Sequence, residues 1–149
     1  MQTIIGDHDE LCNIDPKNID LFTLKDKYYA KVIDCYDGDT ITCILKLDTK
    51  FYKFKVRLDG YDAPEMKPSK TISAEVRDKI KIAACAVKKQ LEELVLNKVI
   101  VLHCNGFDKY GRILGVLKLT DNDTQTINDI MIKNSNNYEY HGGTKKQIF

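Results

Sequence analysis

Two alternations of opposite phase, back to back, constrain this chain more than anything else in it. From Thr40 to Leu47, the side chains of Ile41, Cys43, Leu45 and Leu47 fall on one face, and those of Thr40, Thr42 and Lys46 on the other. From Phe51 to Leu58 the phase inverts. Tyr52, Phe54, Val56 and Leu58 share one face; Phe51, Lys53, Lys55 and Arg57 share the opposite one. A period of two predicts a half-buried antiparallel sheet. Tyr29 to Asp34 suits an earlier strand, stopped by the Asp37-Gly38 turn signal.

The period then changes. After Pro64 and Pro68, Ser73 suits a helix N-cap with Glu75 in the first turn. Val76, Ile80, Ala83, Ala84, Val87, Leu91, Leu94 and Val95 follow at steps of three and four, which predicts a long helix with one apolar stripe. Lys79, Lys81, Lys88 and Lys89 form its wet face. Val99 to Cys104 and Arg112 to Leu119 read as two more strands, with Gly115 as a bulge. Ile127 to Lys133 reads as a short helix, and the tail from Tyr138 to Lys146 as loop. Residues 1–27 contain Pro16 and no clear period, and read as a loosely structured arm. The expected fold is α+β, mainly β: a five-stranded OB-fold Greek-key barrel with one long and one short helix, over residues 28–149. Such barrels commonly bind nucleic acid, but a fold alone does not establish a function.

Composition narrows the class. At 149 residues one domain is expected. No apolar run approaches the ~20 residues that span a bilayer. The first ten residues have neither a basic nor an apolar signal region, so an intracellular, non-membrane protein is expected. The five cysteines are scattered without a C-x-x-C pair, which argues against zinc and disulfides and for buried free thiols. His103, in a strand, reads as a packing residue. Residues 1–27 carry three Lys and six acidic residues, and the remainder carries 20 basic and 16 acidic. A net charge of +1 rules against coating nucleic acid by charge alone. The Lys- and Ile-rich, Arg-poor usage points to an A·T-rich coding genome; for a virus the compartment would be the host cytoplasm. A monomer is expected.

Only three Arg stand against twenty Lys, and two of them lie beside acidic turns. Arg57 precedes Leu58-Asp59-Gly60-Tyr61-Asp62-Ala63-Pro64-Glu65. Arg112 closes Asp108-Lys109-Tyr110-Gly111. A third acidic turn is Asp37-Gly38-Asp39-Thr40. Each alone is an ordinary turn signal. Together they sit at strand ends, which can converge on one rim. Asp39 and Asp62 suit a hard cation. A metal there can polarise a phosphoryl oxygen. Glu65 is placed as a general base, and Arg57 and Arg112 offer planar donor forks that Lys cannot copy.

In order and spacing these three motifs resemble the staphylococcal nuclease-like (thermonuclease) family, over about Tyr29 to Lys146. Tyr140-His141-Gly142-Gly143-Thr144-Lys145 is similar to the tail of many members. The resemblance implies an OB barrel and a Ca2+-dependent phosphodiesterase acting on DNA and RNA, leaving 3′-phosphates. It implies Asp39 and Asp62 as metal ligands with the Ala63 carbonyl, where relatives often carry Thr. It implies Arg57, Glu65 and Arg112 as catalytic residues. Asp37, Thr40, Lys109, Tyr110 and Tyr140 fall to supporting or substrate-binding positions. Many relatives continue into a further C-terminal helix that is absent before Phe149. The competing reading is a catalytically silent barrel of the same kind, used for binding nucleic acid or protein. A plain oligonucleotide-binding barrel would explain the strands but not the paired arginines.

Overall fold

The computed structural model describes residues 2–134 and the backbone of 138–140. Five strands close into a barrel: β1 (Lys27–Cys35), β2 (Thr40–Leu47), β3 (Lys50–Leu58), β5 (Val99–Phe107) and β6 (Ile113–Lys118). Their order around the barrel is β1-β2-β3-β6-β5. Every pairing is antiparallel except β3 with β6, which is parallel. The alternating residues do what their period predicts. Ile41, Cys43, Leu45, Val56 and Leu58 point inward and are buried, with Val32, Ile100, Leu102, Ile113 and Leu117 from the other strands.

The alternation loses its inward face at the far end of β3. Phe54 is only half-buried and Tyr52 is exposed. β3 pairs with β6 only at Val56, Arg57 and Leu58. Upstream of Val56, it therefore has β2 on one side and no strand on the other among the described residues.

The long helix is α2 (Ala74–Val95), capped by the Ser73 hydroxyl, which accepts from the Val76 amide at 3.3 Å. Ala83, Ala84, Val87, Leu91 and Val95 are its buried stripe; Val87, Leu91 and Val95 join the barrel core. The short helix is α3 (Ile127–Asn134). Two elements depart from the sequence reading. Tyr138–Tyr140, read as loop, is a short strand (β7) paired with β4 (Gly60–Asp62). Three polar-flanked residues are too few to display a period. Gly115 is not a bulge. A Cβ there would lie 2.6 Å from Leu102 Cδ1 and 2.9 Å from Val56 Cγ1, so glycine permits the strands' close approach. The extra residue lies opposite it, where β5 shifts register between Cys104 and Phe107 and Gly106 takes φ +91.

The arm holds a five-residue helix, α1 (His8–Cys12), and one 3₁₀ turn at Pro16–Asn18, neither with a buried residue. It is anchored where it meets the barrel. The Cys104 and Gly106 amides donate to the carbonyls of Asp26 and Leu24, and Leu24 is buried. Cys35, Cys43 and Cys104 are buried thiols, but Cys12 and Cys85 are exposed, on α1 and the outer side of α2. His103 is likewise exposed on β5, because its alternation puts the neighbours Leu102 and Cys104 inside. None of the helices among the described residues is long and apolar enough to cross a membrane.

Candidate active site

Asp39 ends the corner that leads into β2, and the corner is fixed from three sides. A Cβ on Gly38 would overlap the Val87 side chain, so glycine lets the turn lie against α2. The Gly38 carbonyl accepts the buried Tyr61 hydroxyl at 2.6 Å. The Asp39 carbonyl accepts the Leu58 amide at 2.8 Å. The Asp39 carboxylate then faces β3 and the loop after β4. Its Oδ1 accepts the Thr40 hydroxyl at 2.9 Å, and its Oδ2 accepts the Ala63 amide at 2.8 Å.

Arg57 ties this carboxylate to a second one. Its Nη1 lies 3.2 Å from Asp39 Oδ2, and its Nη2 donates to Asp62 Oδ1 at 2.9 Å. Nη1 also donates to the Leu58 carbonyl at 2.9 Å. The three side chains are only 12%, 6% and 10% exposed for Arg57, Asp39 and Asp62, so the interactions are little screened by water. Asp37 stands beside them, half-buried, and its Oδ1 accepts the Asp39 amide at 3.0 Å.

Charge is unbalanced here. Three carboxylates face one guanidinium. Burial, and then the neighbouring Asp39, push the Asp37 carboxyl up to about 7. Burial also acts to raise Asp39, but the hydrogen bond with Asp37, the Arg57 charge, the Ala63 amide and the Thr40 hydroxyl outweigh it and hold Asp39 below the usual carboxylate range.

This surplus of buried negative charge, presented by oxygen donors alone, suits a hard divalent cation. Asp39 and Asp62, drawn together by Arg57, could hold it with a backbone oxygen such as that of Ala63. Among the described residues, no three His, Cys, Asp or Glu side chains cluster closely enough to form a cage of their own. Backbone and water oxygens would have to complete the coordination.

Arg57 also lines a cleft of about 430 Å³, which neither Asp39 nor Asp62 lines. Arg57, Tyr61, Asp108, Lys109, Tyr110 and Arg112 are among its walls. The parallel β3–β6 junction produces the juxtaposition. Arg57 is level with Leu114, so Arg112, just before β6, reaches the same cleft. Arg112 Nε donates to Asp108 Oδ2 at 2.7 Å. Asp108 Oδ1 in turn accepts the Tyr110 and Arg112 amides at 2.8 and 2.9 Å, around Gly111 with φ +80. Burial acts to raise the Asp108 carboxyl, but those amides and the Arg112 side chain prevail and lower it. Lys109 Nζ and Arg112 Cζ lie 5.1 and 5.3 Å from the centre of the exposed Tyr110 ring.

The structure thus gathers Asp37, Asp39, Thr40, Arg57, Asp62 and Ala63 in one network, and Arg57, Lys109, Tyr110 and Arg112 around one cleft. Glu65 lies on an exposed loop position past the buried Pro64, and is not among the cleft walls. Tyr140 pairs with Gly60 across the β4–β7 ladder; residues 141–146 of the tail motif lie outside the described residues.

Three residues have supporting roles that the sequence reading does not assign. Asp108 orients Arg112, and the Asx-turn pattern Asp-x-Tyr-Gly was its available signal. Tyr61 pins the Asp39 corner. Asn128, buried in α3, accepts the Leu117 amide at 3.0 Å and donates to the carbonyls of Asp59 at 2.7 Å and Gly115 at 3.1 Å. It thereby joins α3 to the turn after Arg57 and to β6. A polar residue between Ile127 and the apolar Ile130-Met131 pair was its only mark.

The family described as staphylococcal nuclease homologue matches residues 55–146. A Haemophilus influenzae protein named "Uncharacterized endonuclease" is 32% identical over 116 residues, which cover 78% of this chain and 54% of that protein. The chain therefore spans about half the length of this relative.

Proposed function

The chain belongs to the staphylococcal nuclease homologues, and from that membership we propose that it is a calcium-dependent nuclease hydrolysing phosphodiester bonds of DNA, RNA or both. The cut is internal and leaves 3′-phosphates. Residues 28–149 form the nuclease domain, with residues 1–27 as an arm. The observation that carries the reading is Arg57, held between Asp39 and Asp62 on the same cleft that Arg112 lines. A guanidinium fixed in this way costs no reorganisation as charge builds on phosphorus.

Asp39 and Asp62, with the Ala63 carbonyl, are assigned as the calcium ligands. Calcium, when bound, supplies a concentrated positive charge for a phosphoryl oxygen. Arg57 and Arg112 grip the equatorial oxygens, each pre-aimed by a carboxylate partner. Glu65 removes the proton of the attacking water from its loop after Asp62. Thr40 fixes the Asp39 rotamer and Asp37 adds to the field at the metal. Lys109, Tyr110 and Tyr140 are assigned supporting or substrate-binding roles.

The test is digestion of single-stranded DNA with calcium present or chelated. Calcium-dependent fragments ending in 3′-phosphate are expected. Intact DNA in calcium, with the protein folded, would leave the silent barrel as the reading. Glu65→Gln should lower turnover by about 10²–10⁴ with KM little changed; near-normal turnover would remove Glu65 from the mechanism.

A further inference from the structure

Upstream of Arg57, the outward row of β3 continues through Lys55 and Lys53 to Phe51, all exposed. Alternate residues of a strand stand about 6.6–6.8 Å apart, so the row from Phe51 to Arg57 runs for roughly 20 Å. The register with β2 places Thr42 beside Lys55, Ile44 beside Lys53 and Lys46 beside Phe51. Lys46 Nζ lies 5.7 Å from the Phe51 ring centre. Neither row contains a carboxylate. Among the described residues, Lys53 and Lys55 take part in no ion pair. The row also connects with the cleft. Lys55, Tyr110 and Arg112 line a second hollow of about 370 Å³, and Tyr110 and Arg112 are walls of both.

We propose that Lys55, Lys53 and Phe51 form a docking track for the nucleotides flanking the cleft, and that its occupant is a single-stranded nucleic acid. The proposal rests on the nuclease reading for the position of the reacting phosphate. Charge selects the class: uncompensated cations in a line continue the two arginines outward. Geometry selects the form: cations one line wide follow one backbone. Phe51 at the far end and Tyr110 at the near end offer ring faces, which only unpaired bases can stack upon. Lysines on an open strand edge also discourage pairing with other chains. That role requires neither the rings nor any gain in affinity with oligonucleotide length.

Fluorescence anisotropy with calcium chelated separates the two. The probes are a labelled thymidine trinucleotide and an oligothymidylate of about twelve nucleotides, within the range one such barrel covers. The wild type should bind the longer probe more tightly. Lys53→Gln/Lys55→Gln should weaken that binding by about tenfold or more and flatten the log K against log salt slope by about 1.4, the loss of two single-strand phosphate contacts. Lys53→Arg/Lys55→Arg should restore both.

Unchanged affinity and slope in the Gln variant would overturn the track, as would equal binding of a duplex of the same length. Binding needs no cleavage, so the two readings fail separately. A length-dependent affinity lost in the variant, with no cleavage in calcium, would keep the track and remove the nuclease. Cleavage with an unchanged variant would do the reverse.

Discussion

At Arg57 the guanidinium that faces the cleft also holds two nearly buried carboxylates together. Its replacement should therefore be felt twice. Arg57→Lys should lower turnover by roughly 10²–10³, the usual loss for one preorganised donor. It should also lower the melting temperature, since one ammonium cannot bridge Asp39 and Asp62 as a fork does. Arg57→Gln should cost roughly 3–5 kcal/mol in urea unfolding, because it strands buried charge. Arg112→Lys should lose activity to a similar degree with a smaller melting shift, since its partner Asp108 is also held by two backbone amides. Equal melting losses in the two Lys variants would contradict this division.

Asp37 supplies the pH signature. Its folded carboxyl is pushed to about 7, above its unfolded value, so the folded state binds more protons between roughly pH 4 and 7. Its contribution to stability is present at low pH and lost as pH rises through about 7. In metal-free buffer, Asp37→Asn should melt higher than wild type at pH 8 and close to it at pH 5. A constant difference across that range would show that Asp37 does not titrate there. The carboxylates and arginines themselves were legible in the sequence because their chemistry is a property of residue type and order. The roles of Asp108, Tyr61 and Asn128 were hidden. They act through backbone amides and carbonyls, whose positions only the fold determines.

At the level of the element, local period carried most of the information. The β2 boundaries and the Ser73 cap agree with it, since alternation and capping are decided by neighbours in sequence. Contacts between distant elements left weaker traces. The β4–β7 ladder depends on two three-residue segments meeting, and neither has a pattern of its own. Gly115 reads as a local irregularity, yet its cause is the nearness of Leu102 and Val56 on other strands. Gly115→Ala should cost about 1–3 kcal/mol by overpacking, measured by chemical denaturation; a neutral effect would show that those side chains yield freely. Asn128→Leu should cost a comparable amount. It leaves the Leu117 amide and the Asp59 carbonyl without this partner, at about 1–3 kcal/mol for a buried unsatisfied group. Its activity loss should exceed that of Gly115→Ala, because Asn128 also secures the turn between Arg57 and Asp62.

Over the whole molecule, barrel closure brings the separate motifs together. The first acidic turn enters β2, the second follows β3, and the third precedes β6. The parallel β3–β6 junction sets the third beside the other two. A chain read in order gives the turns and their residue types; it does not give which strand seals the barrel. The surplus negative charge of Asp39 and Asp62 over Arg57 is also collective, since no one turn contains it. What that charge is for matters most, and the calcium concentration giving half-maximal cleavage of single-stranded DNA tests it directly. In Asp39→Asn and Asp62→Asn it should rise by about tenfold or more, as removal of a charged ligand weakens a hard-cation site, with both variants folded. An unaltered calcium requirement in both variants would contradict the account and place the ion elsewhere.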